Sequence, residues 1–326
     1  MNNRRLGKSD LSVGEVGLGC WQFGGDFGPM EKSTALKIME TAAEKGITFF
    51  DTADVYGSGR SEELIGEFLR QTQSPVKIAT KFGRGSDVYP NGYTKEALRG
   101  SVQASLKRLG VDVIDLLQLH CIPTQFIRDG AVFDWLREIQ QEGLIRYFGA
   151  SVESVEEALI CMEQKGLLSL QVIFNLFRQK LISDLLPKAQ KIGIGIIVRL
   201  PLASGLLSGK FTVNTQFTEN DHRHYNRDGQ AFNVGETFAG LPFEKGVTLA
   251  DRLKSYVPPH MTMAQMAQRW ILDHDAVSVI IPGASSSDQV AANAKVTELD
   301  SLPAKLHQEL HNFYQMNIHE HIRGPY

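Results

Sequence analysis

Short apolar runs alternate with longer amphipathic ones along most of this chain, and that rhythm constrains the fold more than any single residue does. Strand "ITFFD" leads to helix "RSEELIGEFLR", "VKIATK" to "TKEALRGSVQASLKRLG", and "VIDLLQLH" to "AVFDWLREIQQEG". "IRYFGAS" leads to "SVEEALICMEQKG", and "LQVIFN" to "ISDLLPKAQKIG". "GIGIIVRL" leads, after a long interruption, to "TMAQMAQRWILDH", and "VSVIIPG" to "SDQVAANAKV". A strand near 16–19 and a helix over 33–45, capped by Ser33 or Thr34 and ended by Gly46, complete eight strand-then-helix units.

Such alternation implies right-handed crossovers and a parallel sheet. Eight units over 326 residues predict an α/β chain folded as one (β/α)8 TIM barrel spanning 1–326. The opening "RRLGKSDLSVGEVGLG" predicts an N-terminal β-hairpin turning near Gly7-Lys8-Ser9. A doubly wound sheet would carry a GxGxxG turn after its first strand, where this chain reads "GLGCWQ". The stretch 203–261, after the seventh strand, is too long for an ordinary connection and is expected to be a long loop covering a ligand.

In a barrel the reactive groups sit where strands end. The second strand ends in Asp51, with Tyr56 five residues on; the third ends in Lys81 and the fourth in His120. Each alone has an ordinary explanation: a turn-former, packing, a snorkelling lysine, a core histidine. Together they describe proton transfer. A tyrosine is a poor acid or base near neutrality. A neighbouring ammonium favours its phenolate, a carboxylate anchors that ammonium, and a histidine hydrogen-bonds the reacting oxygen. The set reads as a tuned tyrosine exchanging a proton with a carbonyl or alcohol oxygen.

The residues "FFDTADVYGSGRSEELIG", "IATKFG" and "LLQLH" resemble the aldo-keto reductases, and the likeness runs from "RRLGKSDLSVGEVGLGCW" to "IPGASSSDQVAAN". The nearer branches are the bacterial reductases and the potassium-channel β-subunits. The resemblance implies a catalytic tetrad of Asp51, Tyr56, Lys81 and His120 and hydride transfer between a nicotinamide and a carbonyl. It also implies an extended dinucleotide bound without a Rossmann motif. Ser151, Gln171 and Asn175 would grip the nicotinamide carboxamide. Arg199 stands where many relatives stack an aromatic on the nicotinamide, and a guanidinium plane can stack too. "RLPLASGLLSGK", with Leu202, Ser204 and Lys210, would run along the pyrophosphate. Arg223 is a second candidate for the phosphates. Gly283, Ser285, Gln289 and Asn293 would meet the adenosine end. Ser285 replaces the Arg or Lys of many relatives, which weakens the case for NADP. The resemblance to channel β-subunits, which also carry a serine there and use a lysine and an arginine of the long loop for the phosphates, keeps NADP favoured, with NAD open.

Trp21 belongs with the cofactor set and, with Phe23 and Phe82, would wall the substrate mouth. "SGK" lacks the spacing of a phosphate-binding P-loop, since Phe211 follows it. "DHRHYNRDG" and the "HEH" of the tail lack the HExxH spacing and are expected to be solvated loops without metal. Three scattered cysteines, Cys20, Cys121 and Cys161, form no CxxC pair and suit a reducing, cytoplasmic setting. "MNNRRLGKSD" has no apolar run behind its basic residues, so no secretory signal is expected. A formal net charge of −3 gives no general attraction to nucleic acid or an anionic membrane. The expected partner is a small carbonyl or alcohol substrate; the sequence says nothing of oligomeric state. The competing function is a nucleotide-binding regulatory subunit with little turnover.

Overall fold

The computed structural model describes residues 1–72 and 74–326. Strands β1 (Asn3–Arg5) and β2 (Ser12–Gly14) form the antiparallel hairpin, with Asn3 opposite Gly14. Its turn presses on the barrel: a Cβ at Gly7 would lie 2.8 Å from the Leu168 carbonyl oxygen. Eight further strands follow. They are β3 (Leu18–Gly19), β4 (Phe49–Asp51), β5 (Lys77–Phe82), β6 (Ile114–His120), β7 (Ile145–Ser151), β8 (Leu167–Ile173), β9 (Gly195–Arg199) and β10 (Val277–Ile280). They pair in chain order, all parallel. Parallel bridges Val16–Ile280 and Gly19–Gly283 join the first to the last and close the barrel. Closure leaves the eight-stranded sheet without an open edge among the described residues.

The period of two along each strand separates two cores. Phe50, Ile78 and Leu117 face outward and pack with helix residues such as Ile65, Leu98 and Phe133. Their neighbours Phe49, Ala79, Leu116 and Ile197 face inward and meet Leu6, Leu11 and Val13 of the hairpin, which plug the floor. Two residues further along the same inward rows stand Asp51, Lys81, Gln118 and Arg199; His120 is two beyond Gln118. The alternation that fills the floor with apolar side chains therefore delivers polar ones to the mouth.

The stretch 203–261 is more ordered than its sequence suggests. It holds a turn of helix at His222–Tyr225 and an amphipathic helix, Phe243–Leu253, that buries Phe243, Val247, Ala250 and Leu253. The helix expected over "ISDLLPKAQKIG" is two pieces, Leu181–Asp184 and Leu186–Ile192, because Pro187 has no N–H to continue the first. The first barrel helix runs Lys32–Glu44, one residue earlier than expected, with no side-chain cap. Helices Thr124–Asp129 and Ala304–Asn317 add to the expected set. Among the described residues no helix is long and apolar enough to cross a membrane.

Candidate active site

Asp51, Lys81 and His120 come together because β4, β5 and β6 are adjacent and in register, with Lys81 opposite Gln118 and Asp51 opposite Ala79. The Lys81 ammonium, 1% exposed, donates to Asp51 Oδ1 at 2.5 Å, to the Thr52 carbonyl oxygen at 2.6 Å and to the Tyr56 hydroxyl at 3.3 Å. All three lysine donors are thereby used. Asp51 Oδ2 accepts from Gln118 Nε2 at 2.9 Å and Gln171 Nε2 at 2.7 Å, so one carboxylate ties three further strands together. Burying this ion pair costs desolvation, and the extra hydrogen bonds offset it.

Tyr56 reaches the mouth on a tight turn. Gly57, Ser58 and Gly59 all have positive φ, at 60°, 55° and 97°. A Cβ at Gly57 would sit 2.6 Å from the Gly24 carbonyl oxygen, so the turn is pressed against the Trp21–Gly24 segment. Trp21 stacks beside the phenol ring at 5.9 Å, and the His120 ring stands edge-on to it at 5.8 Å. Because Tyr56 accepts from Lys81, its own O–H proton remains free to donate.

Burial dominates the electrostatics of this protein on its own. It pushes the Tyr56 phenol up to about 12, and the nearby Lys81 ammonium only partly opposes it. The lowering expected from the lysine is present but outweighed by desolvation. Burial draws Lys81 down, yet Asp51 and Tyr56 hold its ammonium above the usual lysine range. His120 lies well below the usual histidine range, first through burial and then through the cations Lys81, Arg84 and Arg199. It is therefore neutral at pH 7 and can offer a hydrogen bond without giving up its proton. Its Nδ1 is buried without a partner.

Several of the residues expected to hold a dinucleotide are engaged within the protein. Ser151 is buried between Cys121 and Gln171, and Gln171 spends its amide N–H on Asp51. Asn175 braces its own turn, donating to the Leu200 carbonyl and accepting from Phe177 N. Beyond β9 the chain is strained: Leu200, Ala203 and Ser204 have φ of 53°, 49° and 55°. Such conformations cost about 1–3 kcal/mol each and concentrate where a ligand is held. Lys210 is exposed, and among the described residues its ammonium makes no ion pair. Arg223 is engaged by Asp221 through two nitrogens, at 2.9 and 2.6 Å, and lies 4.5 Å over Phe217. Leu202 caps this loop, its carbonyl accepting from Gly205 N and Leu207 N. Gly283 lies against Gln22, whose amide a Cβ would strike. Ser285 and Gln289 bond each other at the surface, whereas Asn293 is buried against Gln268.

One expectation fails on burial. Asp221 and His222 are not solvated: His222 is 0% exposed, with its ring 4.6 Å from Trp21 and 4.4 Å from Phe27. A patch of charge at the mouth was also missed. Arg84, Glu153 and Glu236 join Arg199 there. Arg84 and Glu153 follow Lys81 and Ser151 by three and two residues, so the strand-end rule extended by one turn would have found them. Nothing in the sequence marks Glu236. Cys121, Glu153 and Glu236 have ligand atoms within 4.8 Å of one another, but guanidinium groups already face both carboxylates. The three cysteines are free and buried. A cleft of about 560 Å³ among the outer helices, lined by Trp270, Asp273, His274 and His307, contains none of the strand-end residues.

The profile of the Aldo/keto reductase family matches residues 15–315. The chain is 30% identical over 330 residues to "Uncharacterized oxidoreductase YqkF" of Bacillus subtilis, covering 99% of this chain and 100% of that one. It is 28% identical to a "Probable voltage-gated potassium channel subunit beta" of Arabidopsis thaliana, over 92% of each chain. The solved glycerol dehydrogenase AKR11B4 of Gluconobacter oxydans superposes with a TM-score of 0.79 at 28% identity, covering 97% of this chain and 96% of that one.

Proposed function

Since the chain belongs to the aldo/keto reductase family, we propose that it is an NADP(H)-dependent reductase of aldehyde, ketone or sugar carbonyls. In this reading Tyr56 is the general acid in reduction and the general base in oxidation. One observation carries it: the Tyr56 hydroxyl accepts from Lys81 at 3.3 Å, which leaves its proton directed at whatever oxygen enters the mouth. The bound dinucleotide would supply the hydride, or take it up in the oxidative direction. The protein's residues do the rest. The Lys81 cation favours the phenolate that forms as Tyr56 releases its proton. Asp51, fixed by two glutamine amides, keeps that cation in place. Neutral His120 orients and polarises the carbonyl oxygen.

The path from β9 fits a dinucleotide. The strained Leu200–Ser204 backbone, the orphaned and buried Arg199 Nε and the exposed Lys210 ammonium supply a stacking plane and a phosphate partner. Arg223 is largely committed to Asp221, so Lys210 is the stronger phosphate candidate. The likeness to a channel β-subunit favours a second reading, a nucleotide-sensing role with little turnover. The complete set of four strand-end residues favours the enzyme.

Fluorescence titration with NADPH and NADH, followed by a panel of aldehydes, ketones and polyols including glycerol, tests the proposal. Tighter binding of NADPH with turnover of at least one substrate class supports it. Binding without turnover moves the protein to the sensing role, and binding of neither nucleotide sinks both readings.

A further inference from the structure

Glu236 lies in the middle of the long loop, yet its side chain is only 8% exposed and points into the mouth. Its Oε1 is 3.2 Å from Arg84 Nη2 and 3.5 Å from Arg199 Nη1. Arg84 Nη2 also donates to Glu153 Oε1 at 2.5 Å. Two guanidinium and two carboxylate groups, from the ends of β5, β7 and β9 and from the loop, thus form one mutually neutralising network above the tetrad.

We propose that Glu236 is a positioning residue whose carboxylate clasps the long loop across the mouth, fixing Arg199 and closing the loop over the dinucleotide site. The location of that site rests on the function proposed above. Backbone contacts place the loop there: Ser204 Oγ donates to the Glu236 carbonyl at 3.1 Å and accepts from Phe238 N at 3.2 Å. Ser204 belongs to the strained path, so the segment 234–238 lies directly on it. Phe238 and Ala239 are left-handed, with φ of 54° and 58°, a shape that persists only where surroundings impose it.

The loop is braced from behind as well. Arg323 of the C-terminal tail donates to the Gly240 carbonyl through its backbone N at 3.2 Å and its Nε at 2.9 Å. Arg178 backs Gly235 so closely that a Cβ there would lie 2.4 Å from its Nη1. In front, the Glu236 carboxylate reaches across to Arg84 and Arg199 at the strand ends. Burial disfavours that carboxylate, but Arg84 and Arg199 hold it below the usual carboxylate range, so it is ionised throughout the neutral region.

The charge is felt at Tyr56. Lys81 and Asp51 face that phenol from β5 and β4, His120 faces it from β6, and Glu236 adds a negative charge that favours the protonated phenol. Loss of the Glu236 charge therefore shifts the phenol toward ionising at lower pH. A residue acting only through packing would not do this.

The test uses the full chain and two variants that break the clasp from opposite sides, Glu236→Gln and Arg84→Met. Amide exchange over 234–240 is measured on the nucleotide-free protein, and NADPH release is followed by stopped flow. The expected result is about tenfold faster exchange in both variants and about tenfold faster release, since interface changes act mainly on off-rates. In Glu236→Gln, the limb of the oxidation pH profile that reports Tyr56 ionisation moves to lower pH. Exchange within about twofold of the parent in both variants overturns the clasp, even if the protein proves to be an active reductase. Faster exchange with unchanged release, or an unmoved pH limb, overturns the part played at the dinucleotide site. If the parent protein binds no nucleotide, the proposed function fails on its own, and the exchange data still decide the clasp.

Discussion

At the floor of the barrel, Leu6, Leu11 and Val13 of the hairpin meet Phe49, Ala79, Leu116 and Ile197 in a wholly apolar cluster. At the mouth, the same inward rows carry Asp51, Lys81, Gln118, His120 and Arg199. The floor is regular; the mouth gathers left-handed backbone at Ser58, Cys121, Leu200, Ala203, Ser204, Phe238 and Ala239. One architecture thus separates two tasks. Apolar burial at one end supplies stability, and the opposite end tolerates desolvated charge and strain because that stability is available.

If that division holds, changes at the two ends should fail in different ways. The largest effect is expected from Lys81→Met, which leaves Asp51 buried without its cation. Removing one partner of a buried pair costs about 3–5 kcal/mol. Denaturant unfolding should show that loss, and turnover per folded molecule should fall by about a hundredfold or more. This is the one site where the division breaks, because Lys81 serves both tasks.

Leu11→Ala at the floor should cost about 2–4 kcal/mol of stability through lost burial and an unfilled cavity. Turnover of the folded fraction should be unchanged. A parallel loss of kcat at a temperature where the variant is fully folded would show that floor and mouth are coupled.

The smallest effect should come from Asp54, two residues before Tyr56. Burial pushes its carboxyl up to about 6, and Oδ1 has no hydrogen-bond partner. A folded-state pKa raised above 3.8 means that the fold prefers the protonated form, so stability is lost as pH rises between about 4 and 6. Asp54→Asn removes that penalty. It should stabilise the protein by about 1–2 kcal/mol at pH 7 and by almost nothing below pH 4, read from melting curves across pH. An equal effect at both pH values would show that the carboxyl is not the cause.

The two ends also differ in how far the sequence reveals them. Strand order and the clustering of Asp51, Lys81 and His120 at one rim were legible because both follow from short-range periodicity: an apolar run that ends in a polar residue names its own rim position. The helix Phe243–Leu253 carried the same kind of signal in Phe243, Val247, Ala250 and Leu253, but it was hidden within a stretch read as one loop. Burial of His222 between Trp21 and Phe27 was not legible, since a loop returning from about 200 residues away leaves no periodic trace. Glu236 was illegible because it lies in an irregular stretch with no periodicity to say which way its side chain points. The pull on Tyr56 was foreseen in sign from Lys81 and misjudged in outcome, because residue types do not report how much water a site excludes.

The most direct measurement is single-turnover reduction by Tyr56→Phe with NADPH already bound, beside the parent protein on the best substrate from the panel. The account predicts nucleotide affinity and melting temperature close to the parent's, with the hydride-transfer step slowed by about 10²–10⁴. A variant that binds NADPH and reduces its substrate at the parent rate would contradict it, because the proton would then come from another group.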